Sequence, residues 1–162
     1  MNKKVIDALH SQIEKERDAA ITYEALAIWC SANEYPGFAA FFKKQVAEER
    51  EHTEKLIQHL LDLGEMPVLG ATKAPHSNYK DLLEVAKAAL AHEKSNTAGV
   101  LATYEVALAE KDYASKIMLE WFITEQVEEE VWANKMVTLV SRASSSNALY
   151  NLDRNIINDL AD

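Results

Sequence analysis

Apolar side chains recur along this chain at alternating steps of three and four residues, the pattern of helices that pack one face into a bundle core. Four long segments carry such a row of core-facing positions. The rows are Ile6, Leu9, Ile13, Glu16, Ala20, Tyr23, Ala27; Phe42, Val46, Glu49, His52 (or Thr53), Leu56, Leu60, Leu63; Leu82, Ala86, Leu90, Glu93, Thr97, Val100, Tyr104; and Leu119, Phe122, Gln126, Glu129, Ala133, Met136, Val140. No segment alternates with a period of two, so we expect no strands.

Glycine and proline divide the chain, because they are few and grouped. Pro36 and Gly37 form one break, and the other breaks fall at about 64–78, 110–112 and 141–147. We therefore predict helices over roughly 4–34 and 38–63, two more between the later breaks, and a short fifth helix over about 146–159. Its apolar positions are Leu149, Leu152, Ile156, Ile157 and Leu160.

The lengths of the connections predict the topology. Short connections make helices one and two antiparallel neighbours, and likewise helices three and four. The connection of about 15 residues after helix two reaches roughly 50 Å when extended, whereas a helix of about 26 residues is roughly 39 Å long. It can therefore run the length of the bundle and set helix three parallel to helix two. We expect one domain, 1–162: an all-α four-helix bundle over about 4–141 with a long crossover, followed by the C-terminal helix.

Polar residues interrupt all four rows at positions that the flanking pattern marks as buried. They are Glu16, Glu49, His52, Glu93, Gln126 and Glu129. An isolated carboxylate in a core is costly unless it is protonated, paired or bound to a metal. No row contains Lys or Arg, and all six residues stand about 13 to 20 residues from a helix-ending break. The sequence therefore predicts one mid-bundle layer of metal ligands.

The residue types indicate which metal. Glu49 and His52 are three residues apart and so share a helix face. Oxygen-rich ligation with a single imidazole suits iron or manganese better than structural zinc, and four carboxylates balance two Fe²⁺ ions. Read singly, each Glu could be a misphased surface residue and His52 an ordinary core histidine. A non-catalytic helical scaffold with paired polar residues therefore stays open at this point.

Composition excludes several other classes. The chain has 162 residues, 26 Asp+Glu against 17 Lys+Arg and a net charge of −9, which disfavours a nucleic-acid partner. One cysteine, Cys30, excludes a disulfide, a multi-cysteine zinc site and an iron–sulfur cluster within one chain. The chain contains no run of 18 consecutive apolar residues, so we expect no membrane-spanning helix. No apolar stretch follows the first lysines, so we expect a cytoplasmic protein.

Four motifs, in order, resemble those of bacterial non-haem ferritins, over about residues 6–160. They are Gln12 to Cys30 with Glu16 and Tyr23; Ala47-Glu48-Glu49-Arg50-Glu51-His52; His92-Glu93; and Trp121 to Glu130 with Glu125-Gln126-Val127-Glu128-Glu129-Glu130. The resemblance implies a ferroxidase centre in which Glu16 and His52 hold one iron, Glu93 and Glu129 the other, and Glu49 bridges them.

The resemblance also assigns the neighbouring residues. Gln126 would hydrogen-bond near the iron pair, and Tyr23 would be a nearby electron donor. A third iron site would use Glu48, Glu125 and Glu128 and share Glu129. From the residues alone, those three glutamates fit a solvated acidic face equally well, and Tyr23 fits an ordinary core tyrosine.

Departures from related families narrow the resemblance. A bacterioferritin would repeat the Glu-x-x-His pair in helix four, where this chain has Gln126 and Glu129, and would carry a haem-ligating Met where this chain has Arg50. Haem is therefore not expected. A rubrerythrin needs a cysteine-rich module, which a single cysteine excludes. Nothing in the first helix suggests the histidine ligands of miniferritins.

The activity implied by the resemblance is oxidation of Fe²⁺ by O₂ or H₂O₂, with two irons per chain and a third at the neighbouring site. Ferric mineral would be stored inside a hollow homo-oligomer of 24 subunits. A di-iron or manganese–iron oxidase that does not mineralise is the alternative enzyme.

Overall fold

A computed structural model describes residues 2–160, and within that range it contains five α-helices and no strand. They are α1 Lys3–Ala32, α2 Pro36–Asp62, α3 Leu82–Ala109, α4 Tyr113–Arg142 and α5 Ser146–Leu160. The predicted all-α bundle with a short C-terminal helix is confirmed. Residues 1, 161 and 162 of the predicted domain lie outside the described residues. None of the five helices is long and apolar enough to cross a lipid bilayer.

Contacts between the helix ends give the topology. Near the start of α1, Asn2 Nδ2 donates to Glu110 Oε2 at the end of α3 (2.5 Å). Near the end of α1, Trp29 Nε1 donates to the carbonyl oxygen of Tyr79, just before α3 (3.1 Å). Helices α1 and α3 are therefore antiparallel. Since α1 is also antiparallel to α2, α3 runs parallel to α2, as the long crossover predicts.

The crossover, residues 63–81, lies along α1. The backbone N–H of Val68 donates to His10 Nε2 (3.2 Å), and further along α1 Arg17 Nη1 donates to the carbonyl oxygen of Gly70 (2.6 Å). The segment is longer than predicted because α3 begins only at Leu82. Asp81 caps that helix, its Oδ1 accepting from the Glu84 N–H (2.9 Å).

The core consists of two apolar clusters separated along the bundle axis. One includes Leu26, Phe42 and Met136, and the other includes Ile13 and Phe122. On every long helix, the polar residues that interrupt the rows fall between the positions belonging to the two clusters. The fold therefore gathers these residues into one layer near mid-bundle.

Two predicted core positions face solvent. Leu63 follows the last residue of α2 and is 40% exposed, and Ile157 of α5 is 47% exposed. A short helix that packs against the bundle along one narrow face buries only Ile156 and Leu160 among the apolar positions predicted for it.

The start of α2 corrects the prediction of a break at Pro36 and Gly37. Pro36 is the first helical residue, a position where the missing N–H costs nothing. The N-cap Tyr35 has no side-chain capping bond. Buried Asp153 of α5 supplies one, since its Oδ1 accepts from the Phe38 N–H (3.0 Å). The C-terminal helix is thus docked onto the N-terminal end of α2.

Gly37 should be essential to that docking. A Cβ at Gly37 would lie 1.8 Å from the Asp153 carbonyl oxygen, which cannot yield without moving α5. We expect Gly37→Ala to lower the free energy of unfolding by about 1–3 kcal/mol, measured by thermal or denaturant unfolding. Gly70→Ala is the matched control, because its Cβ also meets an atom at 1.8 Å, but that atom ends the flexible Glu14 side chain. Equal losses in the two variants would contradict the docking role.

Candidate metal centre

Helical spacing brings residues from all four long helices to the same level. Glu16 comes from α1, Glu49 and His52 from α2, Glu93 from α3, and Gln126 and Glu129 from α4. All six side chains are buried. Among residues 2–160, no lysine or arginine is buried. Ionised carboxylates in this layer therefore have only a proton or a bound cation to balance them.

Glu16, Glu49 and His52 form one close group within the layer. Each offers one potential ligand atom, and the three atoms lie within 4.8 Å of one another. His52 Nδ1 is 3.2 Å from Glu49 Oε2 and 3.7 Å from Glu16 Oε2. Two carboxylates and one imidazole converging from two helices form a donor set that suits a divalent iron or manganese ion.

Protons balance the charge of this group when no cation is bound. Burial lowers the pKa of His52, but hydrogen bonds and the charges of Glu16 and Glu49 outweigh it and raise the pKa to about 10. Burial also raises the pKa of Glu49, to well above its usual range. For Glu16, hydrogen bonds from its neighbours and the charge of His52 overcome burial, so its pKa is lowered. One ionised carboxylate and one imidazolium thus leave the group nearly neutral.

Glu93 lies beside this group and is held by two donors. Tyr23 donates its hydroxyl to Glu93 Oε1, and Gln126 Nε2 donates to Glu93 Oε2 at 3.1 Å. Burial and the nearby charge of Glu129 raise the pKa of Glu93 well above its usual range. Gln126 and Tyr23 therefore both contact a predicted ligand, and Tyr23, which stands in the same row of α1 as Glu16, reaches Glu93 of α3.

Glu129 connects the layer to a cavity of about 370 Å³. Trp132 donates its indole N–H to Glu129. Burial is the main cause that raises the pKa of Glu129 to about 7. Glu129 also forms a second group with His52 and Glu125, again with ligand atoms within 4.8 Å. His52 is therefore common to both groups.

The residues predicted for a third site surround one cavity, but they do not all belong to one close group of ligand atoms. Glu48, Glu125 and Glu128 all line the cavity, but of these only Glu125 joins a group of potential ligand atoms within residues 2–160. Glu48 accepts a hydrogen bond from Gln45 and pairs with Lys44 (3.1 Å). Glu128 is exposed.

Two buried amides in the layer were not predicted from the sequence. Gln12 Nε2 donates to Glu16 Oε1 (2.6 Å), and Asn96 Nδ2 donates to Glu16 Oε2 (3.1 Å). A signal was present, because Gln12 precedes Glu16 by four residues and Asn96 follows Glu93 by three, so each shares a helix face with a predicted ligand. Neither residue lies in an apolar row, which is why the pattern did not identify it.

Comparison with known proteins shows which family the chain is similar to. A family model for the ferritin-like domain matches residues 6–143. The bacterial non-haem ferritin of Staphylococcus saprophyticus is 37% identical over 151 residues, covering 93% of this chain and 90% of that protein. The Staphylococcus aureus protein of the same name is 36% identical, with 93% and 91% covered.

Solved structures agree as well. An open-pore ferritin from the hyperthermophilic archaeon Archaeoglobus fulgidus superposes with a TM-score of 0.94 at 29% identity, over 96% of each chain. The closed form engineered from the ferritin of that organism superposes equally well. The chain therefore belongs to the ferritin family, and it groups with the bacterial non-haem ferritins that its motifs resemble.

Proposed function

We propose that this protein stores iron and that its buried layer oxidises Fe²⁺ to Fe³⁺ before storage. The observation that carries the proposal is the layer itself: four buried carboxylates and a histidine with no buried lysine or arginine among residues 2–160. Such a layer costs stability in the metal-free protein, and binding of divalent cations offsets that cost. Family membership supports iron as the cation.

Fe²⁺ is the substrate, and each residue has a proposed task. Glu16 and His52 bind one ion, Glu93 and Glu129 bind the other, and Glu49 bridges them. Binding displaces the protons that His52, Glu49 and Glu93 hold in the absence of iron. Two Fe²⁺ then deliver two electrons together: with O₂ and two protons the products are two Fe³⁺ and H₂O₂, and with H₂O₂ and two protons they are two Fe³⁺ and two H₂O. Fe³⁺ is then hydrolysed as it is deposited as mineral, and this step releases protons.

Neighbouring residues extend the proposal. Tyr23 is a nearby electron donor, supported by its hydrogen bond to Glu93. The cavity containing Glu48, Glu125, Glu128 and Glu129 holds a third iron, supported by the close group of Glu125, Glu129 and His52. Glu48 and Glu128 lie outside that group, so in this proposal both side chains turn toward the ion on binding.

Storage requires an enclosed space, and we propose a hollow cytoplasmic homo-oligomer of 24 subunits. The crossover supports association with further copies, because it presents apolar side chains to solvent. Met66, Val68 and Leu69 are all exposed there. Isolated chains rarely leave such a cluster uncovered.

Anaerobic titration with Fe²⁺, followed by air, tests the proposal. The ferritin should take up far more than three irons per chain after oxidation and elute as a very large particle. An oxidase that does not mineralise would stop near two irons per chain. A scaffold would bind no Fe²⁺ at all, and either of these last results would overturn the storage function.

A further inference from the structure

The two buried amides on the α1–α3 side of the layer form a continuous bridge between predicted ligands. Gln12 Nε2 donates to Asn96 Oδ1 (2.8 Å) as well as to Glu16. Asn96 Nδ2 donates to Gln126 Oε1 (3.3 Å) as well as to Glu16. Gln126 in turn donates to Glu93. Three amides therefore connect Glu16 on α1 with Glu93 on α3, all of them buried.

We infer that Gln12 and Asn96 are positioning residues that hold Glu16 in the orientation for iron binding and tie it, through Gln126, to Glu93. The inference rests on the proposed function of the centre. It concerns residues that contact a predicted ligand and contribute no carboxylate or imidazole of their own.

The direction of the hydrogen bonds supports this role. Both oxygens of Glu16 accept an amide N–H, one from Gln12 and one from Asn96. The amide of Asn96 cannot rotate by half a turn, because its oxygen would then face Glu16 and Gln126 oxygens while its NH₂ faced the NH₂ of Gln12. Each amide thereby fixes the orientation of the next one. Amide donors also keep their protons at any working pH, so the bridge persists while protons leave the layer.

Groups that orient metal ligands have a measurable effect on metal binding. Removing such a partner typically lowers metal affinity or activity by about 10–100-fold. The loss here should be largest for the ion bound by Glu16, because both of its oxygens depend on the bridge. A role in packing alone would lower the unfolding temperature and leave metal affinity unchanged.

Asn96→Leu tests the inference in the assembled protein, because leucine has the same branched shape without donors or acceptors. The probe is Co²⁺, whose visible absorption reports both binding and ligand geometry. We expect Co²⁺ to bind about 10–100-fold more weakly, with an altered spectrum, and the initial rate of Fe²⁺ oxidation to fall in proportion. Thr103→Val is the matched control, because buried Thr103 of α3 donates only to the carbonyl oxygen of Gly99.

A second variant covers the case in which Asn96→Leu does not assemble. Gln12→Met removes the other donor to Glu16, and it should show the same loss; the double variant should be hardly worse than either single variant if the bridge acts as a unit. Wild-type affinity, spectrum and rate in a folded variant of either residue would overturn the inference. Wild-type protein that neither binds Co²⁺ nor oxidises Fe²⁺ would instead overturn the proposed function.

Discussion

Replacing Glu49 by alanine should abolish the fast phase of Fe²⁺ oxidation. In the proposed centre Glu49 bridges the two irons, and in the structure its Oε2 lies 3.2 Å from His52 Nδ1. Partners that merely orient ligands already contribute about 10–100-fold, so losing the bridging carboxylate should lower the initial rate by about 100-fold or more. Stopped-flow absorbance of Fe³⁺ formation, at two Fe²⁺ per chain, measures this rate.

The control for Glu49 is available on the same helix. Glu54 is exposed and lies outside both groups of potential ligand atoms, so Glu54→Ala should oxidise Fe²⁺ at the wild-type rate. Both variants should keep the helical content and particle size of the wild type. An unchanged initial rate in Glu49→Ala would contradict the assignment of the centre.

Replacing Glu129 by glutamine should stabilise the metal-free protein while impairing iron oxidation. Burial raises the pKa of Glu129 from 4.5 to about 7 in the folded chain. One pKa unit corresponds to about 1.4 kcal/mol, so ionised Glu129 costs the metal-free fold roughly 3 kcal/mol at pH 8. Glutamine keeps an oxygen that can accept from the Trp132 N–H and carries no charge.

The pH dependence has a definite sign. Because the folded-state pKa of Glu129 is raised, its protonated form stabilises the metal-free fold fully below pH 4.5, and that contribution is lost as the pH rises through about 7. Glu129→Gln should therefore unfold at a higher denaturant concentration than wild type at pH 8, with the difference shrinking toward pH 5. Glu16 affects the pH dependence of stability in the opposite direction, since its pKa is lowered. Because the wild type and Glu129→Gln both contain Glu16, its effect does not alter the difference between them.

Metal reverses the order of stability. Co²⁺ in excess should stabilise the wild type more than Glu129→Gln, because only the wild type retains the full ligand set. Glu128→Gln, a change at an exposed neighbour, should leave the metal-free stability unchanged at both pH values. A metal-free Glu129→Gln protein no more stable than wild type at pH 8 would show that Glu129 is not held in a costly environment.

The periodicity of apolar residues was sufficient to predict the helical bundle. The polar residues that interrupt it were sufficient to predict the position of the polar layer. Both follow from helical geometry, in which residues three or four apart share a face. The start of α2 could not be predicted this way. The sequence predicts a break at Pro36 and Gly37, yet these residues form the first turn of α2. That turn is capped by Asp153, which lies 115 positions after Phe38 and accepts a hydrogen bond from its N–H. A local sequence pattern cannot predict a capping partner that is so distant along the chain.

In the metal centre, too, part of the arrangement follows from the sequence and part only from the tertiary structure. Sequence alone determined which carboxylates and which histidine would be buried together, since each interrupts a row that is otherwise mainly apolar. Only the tertiary structure decided how they pair: that Tyr23 donates a hydrogen bond to Glu93, that His52 is common to two groups of ligand atoms, and that Gln12 and Asn96 connect Glu16 through Gln126 to Glu93. Helical periodicity determines the face on which a side chain lies. Its partner across the core depends on the relative rotation and depth of the packed helices, which depend on every contact between them.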